Sequence, residues 1–234
     1  MANKKLMRAV RAWYDAGMLK AVMFDVDGTL GDTLPLCIET YRRITEEVTG
    51  RRPEVAEVTG HFGLSDRGVL GKLVGMEPDD PALPVRRMVE IYGELHPAMA
   101  PAPFPGAVEM LRGVRAAGMR IGIISGKEDH TAVPTLEFFG LQGLYEWAGY
   151  GMPDRNVKGE RLREIMQLWN LQPHELVYVG DAPSDITLAH GAGVRIVNAA
   201  WAPGAGLEEQ ACLALHPDYR LTDMAQLLPL LLSL

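Results

Sequence analysis

Asp25 and Asp27, two carboxylates one residue apart, end an apolar run and are followed at once by Gly28-Thr29. In Val22-Met23-Phe24-Asp25-Val26-Asp27-Gly28-Thr29-Leu30 the apolar residues read as a buried parallel strand ended by a glycine turn. Open α/β sheets bind their ligands at that end of their strands. On an extended segment Asp25 and Asp27 share a face, unless the turn redirects Asp27. Carboxylates this close cannot both stay ionised cheaply without a cation. They also offer a nucleophile and a proton donor of one residue type.

Three further groups lie downstream. Ser125-Gly126-Lys127 closes a second apolar run, and its hydroxyl and backbone N–H groups suit phosphate oxygens. Ser-Gly after a strand is also an ordinary turn. Lys158 opens a helical stretch, where a lysine is equally an ordinary surface charge. Gly180-Asp181-Ala182-Pro183-Ser184-Asp185 closes a third apolar run and brings Asp181 to the same sheet edge as Asp25. Asp185 falls at the start of the next helix, a position the helix dipole also favours. Carboxylate oxygens suit Mg²⁺, a hard cation.

The first run closely resembles the signature hhhhDxDGT (h, hydrophobic) of the haloacid dehalogenase-like hydrolases. Ser125, Lys158 and Gly180-Asp181-x-x-x-Asp185 are similar to that family's second, third and fourth motifs, in the same order. The resemblance runs from residue 19 onward and is strongest to the phosphoglycolate-phosphatase-like branch with an α-helical cap. It implies Asp25 as nucleophile forming an aspartyl-phosphate, Asp27 as general acid–base and Lys158 as the charge-offsetting lysine. It implies Mg²⁺ held by Asp25, the Asp27 backbone carbonyl, Asp181 and, through water or hydrogen bonds, Asp185. Ser125, Gly126 and Lys127 are the expected phosphate-binding residues, with Arg67 or His61 of the cap loop facing the rest of the substrate. The branch commonly has Thr-Asn-Lys and Lys-Pro where this chain has Ser-Gly-Lys and Lys-Gly.

The implied activity is a Mg²⁺-dependent phosphomonoester hydrolase acting on a small phosphorylated, phosphoglycolate-like metabolite. The alternatives are a β-phosphoglucomutase-like phosphomutase, which Gly63-Leu64-Ser65 resembles, and a non-catalytic binding module on the same scaffold. Lys127 favours the phosphatase.

These residues need elements to position them. Beyond residue 107, apolar runs alternate with helical spacings, which argues for a mostly parallel, Rossmann-like sheet with helices on both faces. Residues 33–98 are mainly helical in pattern and form an inserted cap; 19–32 and 99–234 form the core, and 1–18 an N-terminal helical extension. The proline-rich run 97–106 reads as a linker, since proline opposes a helix interior.

The net charge of −7 gives no electrostatic footprint for nucleic acid or an anionic membrane. No stretch reaches the roughly 18–20 apolar residues of a membrane span, and no signal-peptide pattern opens the chain. Cys37 and Cys212 lie outside any metal-binding spacing and suit a reducing compartment, so a cytoplasmic monomer or homodimer is expected.

Overall fold

The strands follow the apolar runs. In a computed structural model, which describes residues 18–203 and 208–234, six short strands form one parallel sheet. They are β1 (Ala21–Phe24), β2 (Arg120–Ile124), β3 (Trp147–Gly149), β4 (Leu176–Gly180), β5 (Arg195–Ala199) and β6 (Tyr219–Leu221), in the order β3-β2-β1-β4-β5-β6. The expected N-terminal helix falls on residues 1–18, of which 1–17 lie outside the described residues.

Period two along each strand splits the interior into two cores. Val22, Phe24, Ile121, Ile123, Val177 and Val179 pack on one face, and Ala21, Met23, Ile124, Leu176 and Tyr178 on the other. The first face is covered by α5 (Ala107–Ala116) and α10 (Leu227–Leu232), through Leu111, Val114, Leu227 and Leu231. The second is covered by α7 (Lys158–Trp169), α8 (Pro183–Gly191) and α9 (Glu209–Ala214), through Leu162, Ile165, Ile186, Ala189 and Cys212. A strand buried on both faces needs no polar alternation, which is why these segments read as continuous apolar runs.

Register places the chemistry. Phe24 of β1 pairs with Ile123 of β2 on one side and Val179 of β4 on the other. The residues just beyond these strands, Asp25, Ser125 and Asp181, therefore emerge at one edge of the sheet. Here the chain order also reverses, because β2 lies to one side of β1 and β4 to the other. Such switch points form the ligand crevices of doubly wound sheets.

Four helices enter between β1 and β2 as an inserted cap: α1 (Leu34–Thr49), α2 (Val55–Thr59), α3 (Asp66–Val74) and α4 (Val85–Met99). The helix pair α1 and α4 is held by Leu36, Tyr41 and Ile44 with Met88, Ile91 and Tyr92, all buried. α6 (Asp129–Phe138) follows β2 and meets the cap. One expectation is corrected: α4 continues through Pro97 to Met99 instead of ending before a linker. Pro97 falls in the last turn, so only one ladder donor is lost, and the Ala100 N–H still closes on the His96 carbonyl.

Candidate active site

The site begins with a tight turn. The Val26 carbonyl accepts from the N–H groups of Thr29, Leu30 and Gly31, and Gly28 adopts φ +77°. That left-handed backbone suits glycine. A Cβ on Gly28 would also lie 2.2 Å from Asp181 Oδ2, so the turn passes directly against the β4 carboxylate. The turn does redirect Asp27. Its carboxylate lies outside the cluster formed by Asp25, Asp181 and Asp185, whose oxygens lie within 4.8 Å of one another.

Lys158 stands in that cluster. Its ammonium is 2.9 Å from Asp25 Oδ2 and 2.8 Å from Asp185 Oδ1. Asp185 has no exposed surface and is held from two further sides, by the Tyr178 hydroxyl at 3.1 Å and the Ala182 N–H at 3.1 Å. Asp181 accepts from the Thr29 hydroxyl at 3.2 Å, and its backbone carbonyl accepts from Asn198 Nδ2 at 3.0 Å. Asp25 Oδ1 is buried and has no hydrogen-bond partner.

Three carboxylates, those of Asp25 and Asp185 buried and that of Asp181 partly buried, face one ammonium here. Burial pushes the Asp25 carboxyl up, Lys158 draws it back, and the Asp185 and Asp27 charges raise it again, to about 7. Burial, reinforced by Asp25 and Asp185, holds Asp181 well above the usual carboxylate range. Burial opposes the Lys158 charge, but Asp185 and Asp25 outweigh it and keep the ammonium far above its ordinary value. Ionised, the cluster carries two uncompensated negative charges, the amount one divalent cation neutralises. The unpartnered Asp25 Oδ1 and the all-oxygen donor set fit a hard divalent metal.

The residues after β2 divide. Ser125 is buried, and its hydroxyl oxygen accepts from the Lys127 N–H at 3.1 Å, leaving its own proton to donate. Gly126 has open space where a side chain would stand. The Lys127 ammonium, expected on the substrate, meets Asp27 Oδ1 at 2.6 Å and the Tyr92 hydroxyl at 2.7 Å within the chain. Arg67, also expected on the substrate, places its guanidinium 2.8 Å from Glu128. His61 is half-buried in the cap loop.

Sequence reasoning passed over Tyr92, Thr33, Asp66 and Glu128. Tyr92 sits in the apolar stripe of α4 and reads as core. Thr33 donates to Asp27 Oδ1 from the end of the glycine turn, with no motif to mark it. Asp66 accepts from the Glu128 N–H at 2.8 Å and the Thr131 hydroxyl at 2.6 Å, while Glu128 accepts from Ser65 and Arg67. Only the fold brings these two acidic residues together.

Known proteins are similar to this chain in sequence and fold. The model of the haloacid dehalogenase-like hydrolase family matches residues 22–199. The chain is 28% identical to the phosphoglycolate phosphatase of Pseudomonas putida over 221 residues, 90% of this chain and 79% of that protein. Its fold is similar to that of a predicted phosphoglycolate phosphatase from Haemophilus somnus, with TM-score 0.74, 21% identity and coverage of 91% and 97%. It is also similar to CbbY from Rhodobacter sphaeroides in complex with phosphate, with TM-score 0.73, 21% identity and coverage of 93% and 100%. The aspartate cluster, the inserted cap and these likenesses agree: the chain belongs to the haloacid dehalogenase-like hydrolases, in the capped, phosphoglycolate-phosphatase-like branch, and is a phosphatase.

Proposed function

We propose that this protein hydrolyses a small phosphomonoester in two steps through Asp25, with Mg²⁺ as its metal. The observation that carries the reading is the charge balance at Asp25. Its carboxylate is paired with Lys158 on one oxygen, unpartnered on the other, and crowded by Asp181 and Asp185. Asp25, Asp181, Asp185 and the Asp27 carbonyl would hold the metal, which when bound supplies positive charge to the nucleophile and the phosphoryl oxygens.

In the first step an Asp25 carboxylate oxygen attacks phosphorus and the bond from phosphorus to the ester oxygen breaks. Asp27 gives its proton to the departing oxygen, so an alcohol leaves and Asp25 carries the phosphoryl group. In the second step Asp27 takes a proton from water as that water attacks the phosphorus. The bond from phosphorus to Asp25 breaks and orthophosphate leaves. Lys158 offsets charge on Asp25 and on the transferring group, and the Ser125 hydroxyl and the Gly126 N–H receive phosphoryl oxygens. Asp185 holds Lys158 in place.

The substrate class proposed is a short phosphorylated hydroxy acid of the phosphoglycolate kind, supported by the Pseudomonas putida likeness. The test is orthophosphate release from 2-phosphoglycolate, a panel of small phosphomonoesters and p-nitrophenyl phosphate, with Mg²⁺ and with a chelator. Metal-dependent release that falls by at least about 10³-fold in Asp25→Asn is expected. A hexose phosphate isomerised without net release would favour the mutase. A folded protein that releases nothing and does not bind Mg²⁺ would leave a binding module.

A further inference from the structure

We infer that Lys127 is a positioning residue for Asp27, held in place by Tyr92 of the cap, and not a substrate ligand. The inference rests on the reading of Asp27 as general acid–base. Lys127 is buried, and its ammonium is committed to Asp27 Oδ1 and the Tyr92 hydroxyl. Tyr92, itself buried, is fixed in turn by the Thr135 hydroxyl at 2.7 Å. The chain Thr135–Tyr92–Lys127–Asp27 therefore runs from core helix α6, through cap helix α4, to the acid–base carboxylate.

The donors on Asp27 are unevenly distributed. Thr33, Lys127 and, at 3.9 Å, the Cys37 thiol all address Oδ1. Among the described residues Oδ2 accepts from none. One oxygen is clamped and the other is left with both lone pairs for a proton. A carboxylate that must deliver a proton to one oxygen and then collect one from water gains from such a clamp, because its rotamer is set before the substrate arrives.

The clamp also separates two jobs. Asp25 and Asp27 lie one residue apart, yet each has its own lysine: Lys158 for the nucleophile and Lys127 for the acid–base. Without Lys127 the Asp27 carboxylate would keep only the neutral donors Thr33 and Cys37. Lysine is a compact charge on a flexible stem, so it needs a second anchor to hold a fixed direction. Tyr92 is that anchor.

The experiment compares kcat/KM for an alkyl ester, 2-phosphoglycolate, with that for p-nitrophenyl phosphate, whose leaving group departs without a proton. In Lys127→Met, kcat/KM for the alkyl ester is expected to fall about 10²-fold, and that for the aryl ester by less than about fivefold. Tyr92→Phe should show the same pattern at about 3- to 10-fold. Equal losses on both esters would overturn the inference, because a phosphate ligand serves both alike. No loss on either would overturn it too. Asp27→Asn is the control: if it shows no dependence on the leaving group, the acid–base reading itself fails. A crystal structure of Lys127→Met then decides positioning without any activity. The Asp27 side chain is expected to leave its rotamer, and finding it unmoved on Thr33 would end the proposal.

Discussion

At the scale of single residues, the site is governed by how few positive charges it contains. Lys158 serves two carboxylates at once, at 2.9 and 2.8 Å. Lys158→Met would leave three clustered carboxylates, two of them buried, with no cationic side chain among them. We expect it to lower kcat by about 10²-fold or more, since electrostatic groups aimed at a transferring phosphoryl contribute on that order. Its stability without metal is expected to fall by about 3 kcal/mol, because a buried ion pair broken on one side strands the other. Urea denaturation of wild type and variant under chelator checks the second figure. A neutral methionine that cost nothing would mean the carboxylates are already protonated together. Tyr178→Phe removes only the hydroxyl 3.1 Å from Asp185, and about 1 kcal/mol should be lost in the same assay.

At the scale of elements, cap and core are joined by exchanged carboxylates at two helix starts. Glu128, just before α6, accepts the Arg67 N–H near the start of α3, and Asp66, the first residue of α3, accepts the Glu128 N–H. Each helix start therefore relies on an acid from the other part of the chain, where a negative charge also meets the helix dipole. Asp66→Asn and Glu128→Gln should each cost about 1–2 kcal/mol in chemical denaturation. Because they share one joint, the double variant should cost less than the sum; strict additivity would show that the two helix starts are independent. Next to this joint the Gly151 N–H donates to the Lys127 carbonyl at 2.8 Å, and a Cβ on Gly151 would lie 1.9 Å from the Gly126 carbonyl oxygen. Gly151→Ala must therefore push the loop after β3 away from the Ser125-Gly126-Lys127 segment. A weaker apparent affinity for inorganic phosphate, read by competitive inhibition, is expected.

At the scale of the whole molecule, the largely buried acidic cluster is expected to couple stability to pH and to metal. Asp25 is held near 7 in the folded chain against an ordinary value of 3.8. Between those values the folded state keeps a proton that the unfolded chain has released. Stability without metal is therefore highest at the acidic end of this window and is lost as pH rises toward 7. Asp181, raised by burial and the same neighbours, acts in the same direction. A divalent cation binds the ionised carboxylates and not the protonated ones. Added Mg²⁺ should thus raise Tm more at pH 8 than at pH 5, and an equal rise at both would place the metal elsewhere. No described helix is long and apolar enough to cross a membrane.

Much of this molecule was legible from the order of its residues. Strands buried on both faces announce themselves as apolar runs, so β1, β2 and β4 and the residues at their ends could be named in advance, as could the helical block between β1 and β2. Parallel pairing then brings Asp25, Ser125 and Asp181 to one edge, because a regular register leaves little choice. The last turn of α4 was not legible: proline opposes a helix interior locally, and it is the position of Pro97 in the last turn that lets the helix continue. Nor were the partners of long side chains. The resemblance implies that Lys127 and Arg67 face phosphate and substrate. Their side-chain partners within the chain, Asp27 with Tyr92 and Glu128, come from segments that only tertiary packing brings near. Strand and helix periods are set by neighbouring residues and survive in the sequence. The direction of a buried charge is set by whichever opposite charge the fold places within reach, and that is decided only when cap and core meet.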